Sequence, residues 1–267
     1  MNHLLRGHAP ISDAAWRLLD AEAAERLKPA LAARKLVDFS GPLGWDYSAM
    51  NLGRTTLLGS VPSEGVTALH RRVLPVVELR ADFELSREEL RDADRGAEDA
   101  DLDALDSAAH QIAVAENIAV FHGWHGAVTG IAESAPRQDL SLGETAEHYP
   151  RQIAGATERL LCRGIGGPYG LALGRNEYRR VVETAEHGGY PLLDHLSKIL
   201  EGPIVWAPGV EGAVVLSLRG GDFLFTSGQD LSIGYDSHDA QVVRFYLQES
   251  FSFHVATPEA AVTLNPQ

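Results

Sequence analysis

The clearest pattern in the chain is an alternation near its C-terminus. In QVVRFYLQESFSFHV, residues 241–255, Val243, Phe245, Leu247, Phe251, Phe253 and Val255 hold odd positions, while Arg244, Gln248, Ser250, Ser252 and His254 hold even ones. Period two marks a strand with one dry and one wet face. Glu249 is the one break in the dry face. At about 3.3 Å per residue such a strand reaches roughly 50 Å, whereas ordinary strands run about 5–6 residues. It is expected either to bend near Glu249 or to belong to an unusually extended molecule. A second alternation sets Val77, Leu79, Ala81, Phe83 and Leu85 against Glu78, Arg80, Asp82 and Glu84. It reads as the return strand of a hairpin arm that begins in the Gly- and Pro-punctuated stretch 39–65. PIVWA, GAVVLSL and DFLFTS predict further short strands after residue 202.

Helical periods fill the segments between. Ser12 is a natural N-cap, and Trp16, Leu19, Ala23, Leu27 and Leu31 share one face of the helix that follows. Pro29 is expected to kink or break it. Residues 103–121 predict a long helix, capped by Asp103, with Leu105, Ala108, Ile112, Ala115 and Ala119 on one side. Residues 150–162 give another, where Cys162 reads as a small buried hydrophobe. Residues 175–187 and 190–200 give two more, parted by Gly188–Gly189. The acidic stretch 87–106 predicts a solvated loop or short helix. The mixture points to an α+β chain.

Hydrophobic residues make up 45% of the 267, enough for a real core. The net charge of −14 argues against nucleic acid or an anionic membrane as partner, since either needs a basic patch. With Cys162 the only cysteine, neither an intrachain disulfide nor a thiolate metal cluster can form. Apolar residues at the N-terminus are interrupted by His3, Arg6, Gly7 and His8, unlike a signal peptide, and no run approaches about 18 apolar residues. A cytoplasmic protein is expected.

The chemical motifs are weak. GIGGPYG (164–170) has Tyr169 where a dinucleotide loop needs its third glycine, and Pro168 removes an amide, so a turn before a strand is expected. In HGWHG (122–126), His122 and His125 could meet Glu116 or His110, but no H-E-x-x-H spacing exists and the glycines suit a helix stop; no metal site is expected. DADLDALD lacks the central Gly and terminal Glu of an EF-hand loop. No G-x-S-x-G elbow or phosphate-binding P-loop appears, so nothing argues for catalysis. The arm at 45–70 has too little apolar content for a core of its own. Arms of this kind are stabilised by neighbouring subunits, and homo-oligomerisation is expected.

Several segments together resemble the encapsulins, the linocin-like shell proteins of bacterial nanocompartments. They are LAARKLVDFSGPLGWDYSAMNLG (31–53), LPVVELRADFEL (74–85), GIGGPYGLAL (164–173), RGGDFLFTSGQDLSIGYDSH (219–238) and ESFSFHVATPEA (249–260). The resemblance implies a tailed-phage major-capsid-like fold. Residues 1–44 would form the N-terminal helix and the start of a peripheral domain, and 45–70 an extended loop arm. Residues 71–126 would continue the peripheral domain with its spine helix. An axial domain would span 127–215, and 216–267 would return strands to the peripheral domain. About sixty copies would close the smallest icosahedral cage. A groove for a cargo enzyme's C-terminal peptide would use Leu27, Leu31, Arg34 and Asp38 with Asp230, Leu231, Ile233 and Tyr235. Thr184, Glu186, His187, Gly188, Gly189 and Tyr190 would line a fivefold pore. The cargo expected first is a dye-decolorising-type peroxidase, with ferritin-like or hemerythrin-like proteins as alternatives. Some members bind flavin through a Trp where this chain has Arg87, so no cofactor is expected. The chain itself would not be an enzyme. The rival readings are a hydrolase or bacteriocin-like protein and a prophage capsid protein.

Overall fold

Ser12 caps the first helix as its position predicts. Its hydroxyl accepts from the amides of Ala14 and Ala15 at 3.1 and 3.0 Å, and helix α1 runs over Asp13–Ala30. The computed structural model describes residues 3–59, 61, 63–137, 140–186 and 188–266. Trp16, Leu19, Ala23 and Leu27 are buried along one face. Pro29 sits in the last turn, where the amide it lacks is lost just as the helix ends, so α1 stops one residue later instead of kinking. A single 3-10 turn, Ala33–Lys35, then leads to strand β1, Asp38–Ser40.

Strands β2 (Ala49–Leu57) and β3 (Leu69–Pro75) form the arm, paired from Ala49↔Pro75 to Leu57↔Leu69. This corrects the sequence reading. The return strand is β3, and the alternating segment is a separate strand of the body, β4 (Val77–Ser86). Both faces of the arm are solvated, so β3 carries no period-two signal, while Leu57, Val66, Leu69 and Val73 stand about half exposed. After β4 come a short helix α2 (Arg87–Asp94) and the long helix α3 (Asp103–Phe121). Asp103 is the first residue of α3 and not its cap; its amide donates to Asp101 Oδ1 at 3.0 Å.

One sheet has the order β1-β8-β10-β4, with β9 also on β10, using β8 (Phe223–Ser227), β9 (Ser232–His238) and β10 (Val242–Val255). Strand β10 neither breaks nor bends away at Glu249. One edge pairs with β4 from Val242 to Phe251; the other pairs first with β9, then with β8. Its expected wet face is dry at the centre, where Tyr246, Gln248, Ser250 and Ser252 are all buried. The Ser250 hydroxyl there accepts from the Gln229 amide, and that of Ser252 donates to the Leu74 carbonyl. The loop after β8 and the root of the arm therefore cover it.

The second sheet has the order β11-β7-β5-β6, from β5 (Tyr169–Leu173), β6 (Ile204–Trp206), β7 (Ala213–Ser217) and β11 (Ala261–Leu264). GIGGPYG is the turn into β5. Of the C-terminal strands, β8, β9 and β10 lie in the first sheet, but β11 pairs with β7 in the second. Around this sheet lie α4 (Ile131–Ser134), α5 (Tyr149–Cys162), α6 (Arg175–Glu183) and α7 (Leu192–Leu200). The last two are shorter than their periods predicted. Tyr149, Ile153, Ala156 and Leu160 bury one face of α5; Cys162 falls about 200° round from Leu160 and is exposed, not buried.

Two hydrophobic clusters result. One gathers Trp16, Leu19, Leu27, Ile112, Phe245 and Leu247 between α1, α3 and the first sheet. The other gathers Ala33, Val120, Leu160, Leu171, Phe251 and Phe253 around the second. Arg34, Glu116 and Glu249 sit at the seam between them.

Candidate functional site

A groove of about 420 Å³ runs between α1 and the start of β9. The Asp230 carboxylate shapes its far wall, accepting from the Leu231 amide at 2.9 Å, while the Asp230 carbonyl accepts from the Ser232 hydroxyl at 2.7 Å. Leu27, Leu31, Arg34, Asp230, Leu231 and Ile233 all line it. Asp38 and Tyr235 do not. Asp38 turns toward the loop before β8, where its Oδ2 accepts from the Gly221 amide at 2.7 Å. The Tyr235 ring is buried in the first cluster and its hydroxyl lies 2.5 Å from His238 Nδ1.

The sequence reading missed Leu4, Arg6, Asp20, Ala23, Ala24, Lys28 and Leu247, which also line the groove. Ala23 and Ala24 were within reach, being four and three residues from Leu27 on the same helix, and Lys28 follows four residues after Ala24. Leu4 and Arg6 carry no periodic signal. The Tyr235 amide donates to the Leu4 carbonyl at 2.9 Å, laying the N-terminal segment against β9. Arg6 grips both Asp20 oxygens at 3.1 and 2.6 Å and lies 4.0 Å above the Trp16 ring, closing that end.

Arg34 is the pivot of the other end. Its Nε donates to Glu116 Oε2 at 2.7 Å, one terminal nitrogen to Asp230 Oδ1 at 2.6 Å, and the other to Glu249 Oε2 at 2.6 Å. The Glu116 and Glu249 side chains are 0% and 1% exposed, against 44% for Asp230. Burial works to lower the Arg34 pKa, but Glu116, Glu249 and Asp230 outweigh it and hold the guanidinium charged beyond its ordinary range. Burial raises the Glu116 pKa against the pull of Arg34. Burial and the neighbouring Glu116 charge raise that of Glu249 well above the usual carboxylate value.

Asn117, fully buried beside this cluster, uses its whole amide. Its oxygen accepts from the Ala32 and Ala33 amides, both at 3.1 Å, and its nitrogen donates to the Ala30 and Pro208 carbonyls at 2.9 and 3.2 Å. That ties the end of α1 and the turn carrying Arg34 to the loop after β6.

The second predicted site is the turn between α6 and α7. The Leu192 amide donates to the Thr184 carbonyl and the Glu186 amide to the Tyr190 carbonyl, at 3.0 and 2.8 Å. Gly188 and Gly189 take φ of +98° and +80°, a region only glycine enters freely. His187 lies outside the described residues. The Glu186 carboxylate is not free, since His195 Nδ1 on α7 sits 2.9–3.0 Å from its oxygens. Lys198 lies 5.0 Å from the Tyr190 ring. Sequence reading missed His195 and Lys198, although both lie on the helix that the turn leads into.

His122 ends α3, and its Nε2 accepts from the Glu211 amide at 3.2 Å. Among the described residues no group of three or more His, Cys, Asp or Glu side chains is placed to hold a metal ion, and no helix is long and apolar enough to cross a membrane.

The same two-sheet body with a projecting arm occurs in particle-forming proteins. The virus-like particle of Pyrococcus furiosus superposes with a TM-score of 0.67 over 94% of this chain and 99% of that one, at 17% identity. A chain of Mycobacterium phage Ogopogo does so with a TM-score of 0.59 over 90% and 92%, at 14% identity. Likeness at such identities is one of fold, and the fold is the tailed-phage capsid-like one, as expected. Sequence narrows the class. The family model described as "Encapsulating protein for peroxidase" matches residues 1–252, and the type 1 encapsulin shell protein of Rhodospirillum rubrum is 49% identical over 99% of this chain and 96% of its own. The chain belongs to the encapsulin family of shell proteins. As such it is a building block of a capsid-like cage and not an enzyme.

Proposed function

We propose that about sixty or more copies of this chain close into an icosahedral cage in the cytoplasm that holds a cargo enzyme by a peptide seated in the groove beside α1. The observation that carries this reading is the convergence of Leu27, Leu31, Arg34, Asp230, Leu231 and Ile233 on one groove. Such a groove suits an extended peptide. Aliphatic walls receive its small apolar side chains, and the Arg34–Asp230 pair at one end with Lys28 on the rim sets direction. The family's description favours a peroxidase as cargo. The turn at 184–190 would line the fivefold opening. A ring of Glu186 carboxylates there admits cations.

The test is loading. A fluorescent protein fused to the C-terminal extension of a dye-decolorising-type peroxidase from the same genome is co-expressed with wild-type shell and with Leu231→Glu. Assembly is checked by electron microscopy and loading by fluorescence per particle. The variant should form normal shells and lose about tenfold or more of the cargo, as a charge replaces an apolar contact. Undiminished loading would overturn the groove assignment.

A further inference from the structure

Two fully buried carboxyls face one guanidinium at the groove's floor, and the arrangement leaves atoms unaccounted for. Glu116 and Glu249 each give Oε2 to Arg34, and the Oε1 of each has no hydrogen-bond partner among the described residues. Both Oε2 atoms contact nitrogens of the same guanidinium, at 2.7 and 2.6 Å, which brings the two carboxyls together around Arg34. Two ionised carboxylates are acceptors only, so their approach becomes a bond only when one carries a proton. A single proton on the pair would leave it with one negative charge to match Arg34.

We propose that Glu116 and Glu249 share one proton and act together as positioning residues for Arg34, so that holding or releasing the proton tightens or loosens the Asp230 wall of the groove. With the proton held, the guanidinium is free to bind Asp230 as a near-full charge. With it lost, two buried negative charges compete for Arg34 and repel Asp230. Asp230 is the half-exposed member of the cluster and the one whose carboxylate and carbonyl also fix Leu231 and Ser232. Among the described residues Arg34 is the cation that pairs with Glu116, Asp230 and Glu249, while Arg6, Asp20 and Lys28 line the same groove from the α1 side. Leu79 stands opposite Glu249 on β4, the Phe39 and Phe225 rings lie 5.1 and 5.5 Å from the Arg34 guanidinium carbon, and Leu27 and Leu31 come from the α1 side. Lys35, next in sequence, donates instead to the Pro29 carbonyl. Both carboxyls are pushed above the ordinary glutamate value of 4.5, burial being the first cause. The stability tied to the proton is therefore complete below that value and is lost as pH rises through the folded-state values.

The inference rests on the groove reading for its consequence, but its test needs no cargo, so the two can fail separately. Hydrogen–deuterium exchange of intact empty shells is followed at about pH 5 and about pH 8, corrected for intrinsic exchange, with Glu249→Gln beside wild type. The introduced glutamine mimics the protonated acid, its amide nitrogen donating to Glu116 and its oxygen accepting from Arg34. Wild-type peptides covering 229–233 should be about tenfold better protected at the lower pH, a coupling of ordinary size. In Glu249→Gln they should be protected at both. Equal wild-type protection at the two pH values, or a pH dependence that survives in Glu249→Gln, would overturn the proposal. The thermal midpoint serves as a second readout. It should fall less between the two pH values in Glu249→Gln than in wild type, and an equal fall would also count against the shared proton.

Discussion

Replacing Arg34 with methionine keeps most of the side chain's length and removes its charge. Three charge-assisted hydrogen bonds of 2.6–2.7 Å go with it. The loss at Asp230 is small, about 0–1 kcal/mol, because that carboxylate is half solvated. The loss at Glu116 and Glu249 is large, because side chains 0% and 1% exposed are left as buried acids without a cation. Breaking a buried pair from one side costs about 3–5 kcal/mol. For a chain of this size each kcal/mol moves the melting midpoint by about 2–4 °C, so Arg34→Met should melt about 6–20 °C lower near pH 8. Arg34 opposes the rise in both carboxyl pKa values, so its removal lifts them further, and the deficit should shrink as pH falls and the acids are neutralised. Adding Glu116→Gln and Glu249→Gln should restore most of the loss, since no buried charge then remains. Intrinsic tryptophan fluorescence during heating reads all three proteins at both pH values. A drop under about 3 °C for the single variant, or one that grows on acidification, would refute the claim that these acids depend on Arg34.

Two further outcomes follow from the same sheet. Gly234 faces Tyr246 across the β9–β10 ladder, and a Cβ there would collide with that ring, whose other side is covered by Arg80 at 3.9 Å. Gly234→Ala should displace the ring and lower stability by about 1–3 kcal/mol, read as a lower melting midpoint, and an unchanged midpoint would mean that the ring is free to move. Asp239, in the turn before β10, accepts from the Gln241 and Val242 amides and from Arg244, which holds its pKa down to about 2. Asp239→Ala should melt below wild type at neutral pH, and the gap should close as pH falls through about 2, measured by the same heating curves.

Much of the fold was legible where one face of an element is dry. The strands at 77–86 and 242–255 declared themselves by period two, and α1 and α3 by their helical stripes. What failed to show was decided by neighbours. Strand β3 has no dry face within the subunit, so nothing in its sequence separates it from loop. The even positions of β10 look solvated until Gln229 and Leu74 cover them. The groove was partly legible because Leu27 and Leu31 lie four residues apart at the end of α1 and Leu231 and Ile233 lie two apart at the start of β9. The charge cluster beneath it was not. Arg34 meets partners 82, 196 and 215 residues away, and no local pattern reports such distances. Glu249 appeared only as a flaw in an apolar stripe, and that flaw marked the one acid on β10, which is buried.

The joint made by Asn117 has a consequence for how the sequence can drift. All four of its bonds end on main-chain atoms, at Ala30, Ala32, Ala33 and Pro208. The side chains at those positions take no part in the bonding, although Ala30, Ala32 and Ala33 have to stay small to remain buried. The information that fastens α1 to the second sheet is thus stored in a single letter on α3. Its partners are free to change among small residues without the joint noticing, whereas no other side chain offers two donors and two acceptors in that shape except glutamine, which is one methylene too long for a close-packed site. A library of random substitutions should find a near-invariant asparagine surrounded by interchangeable neighbours.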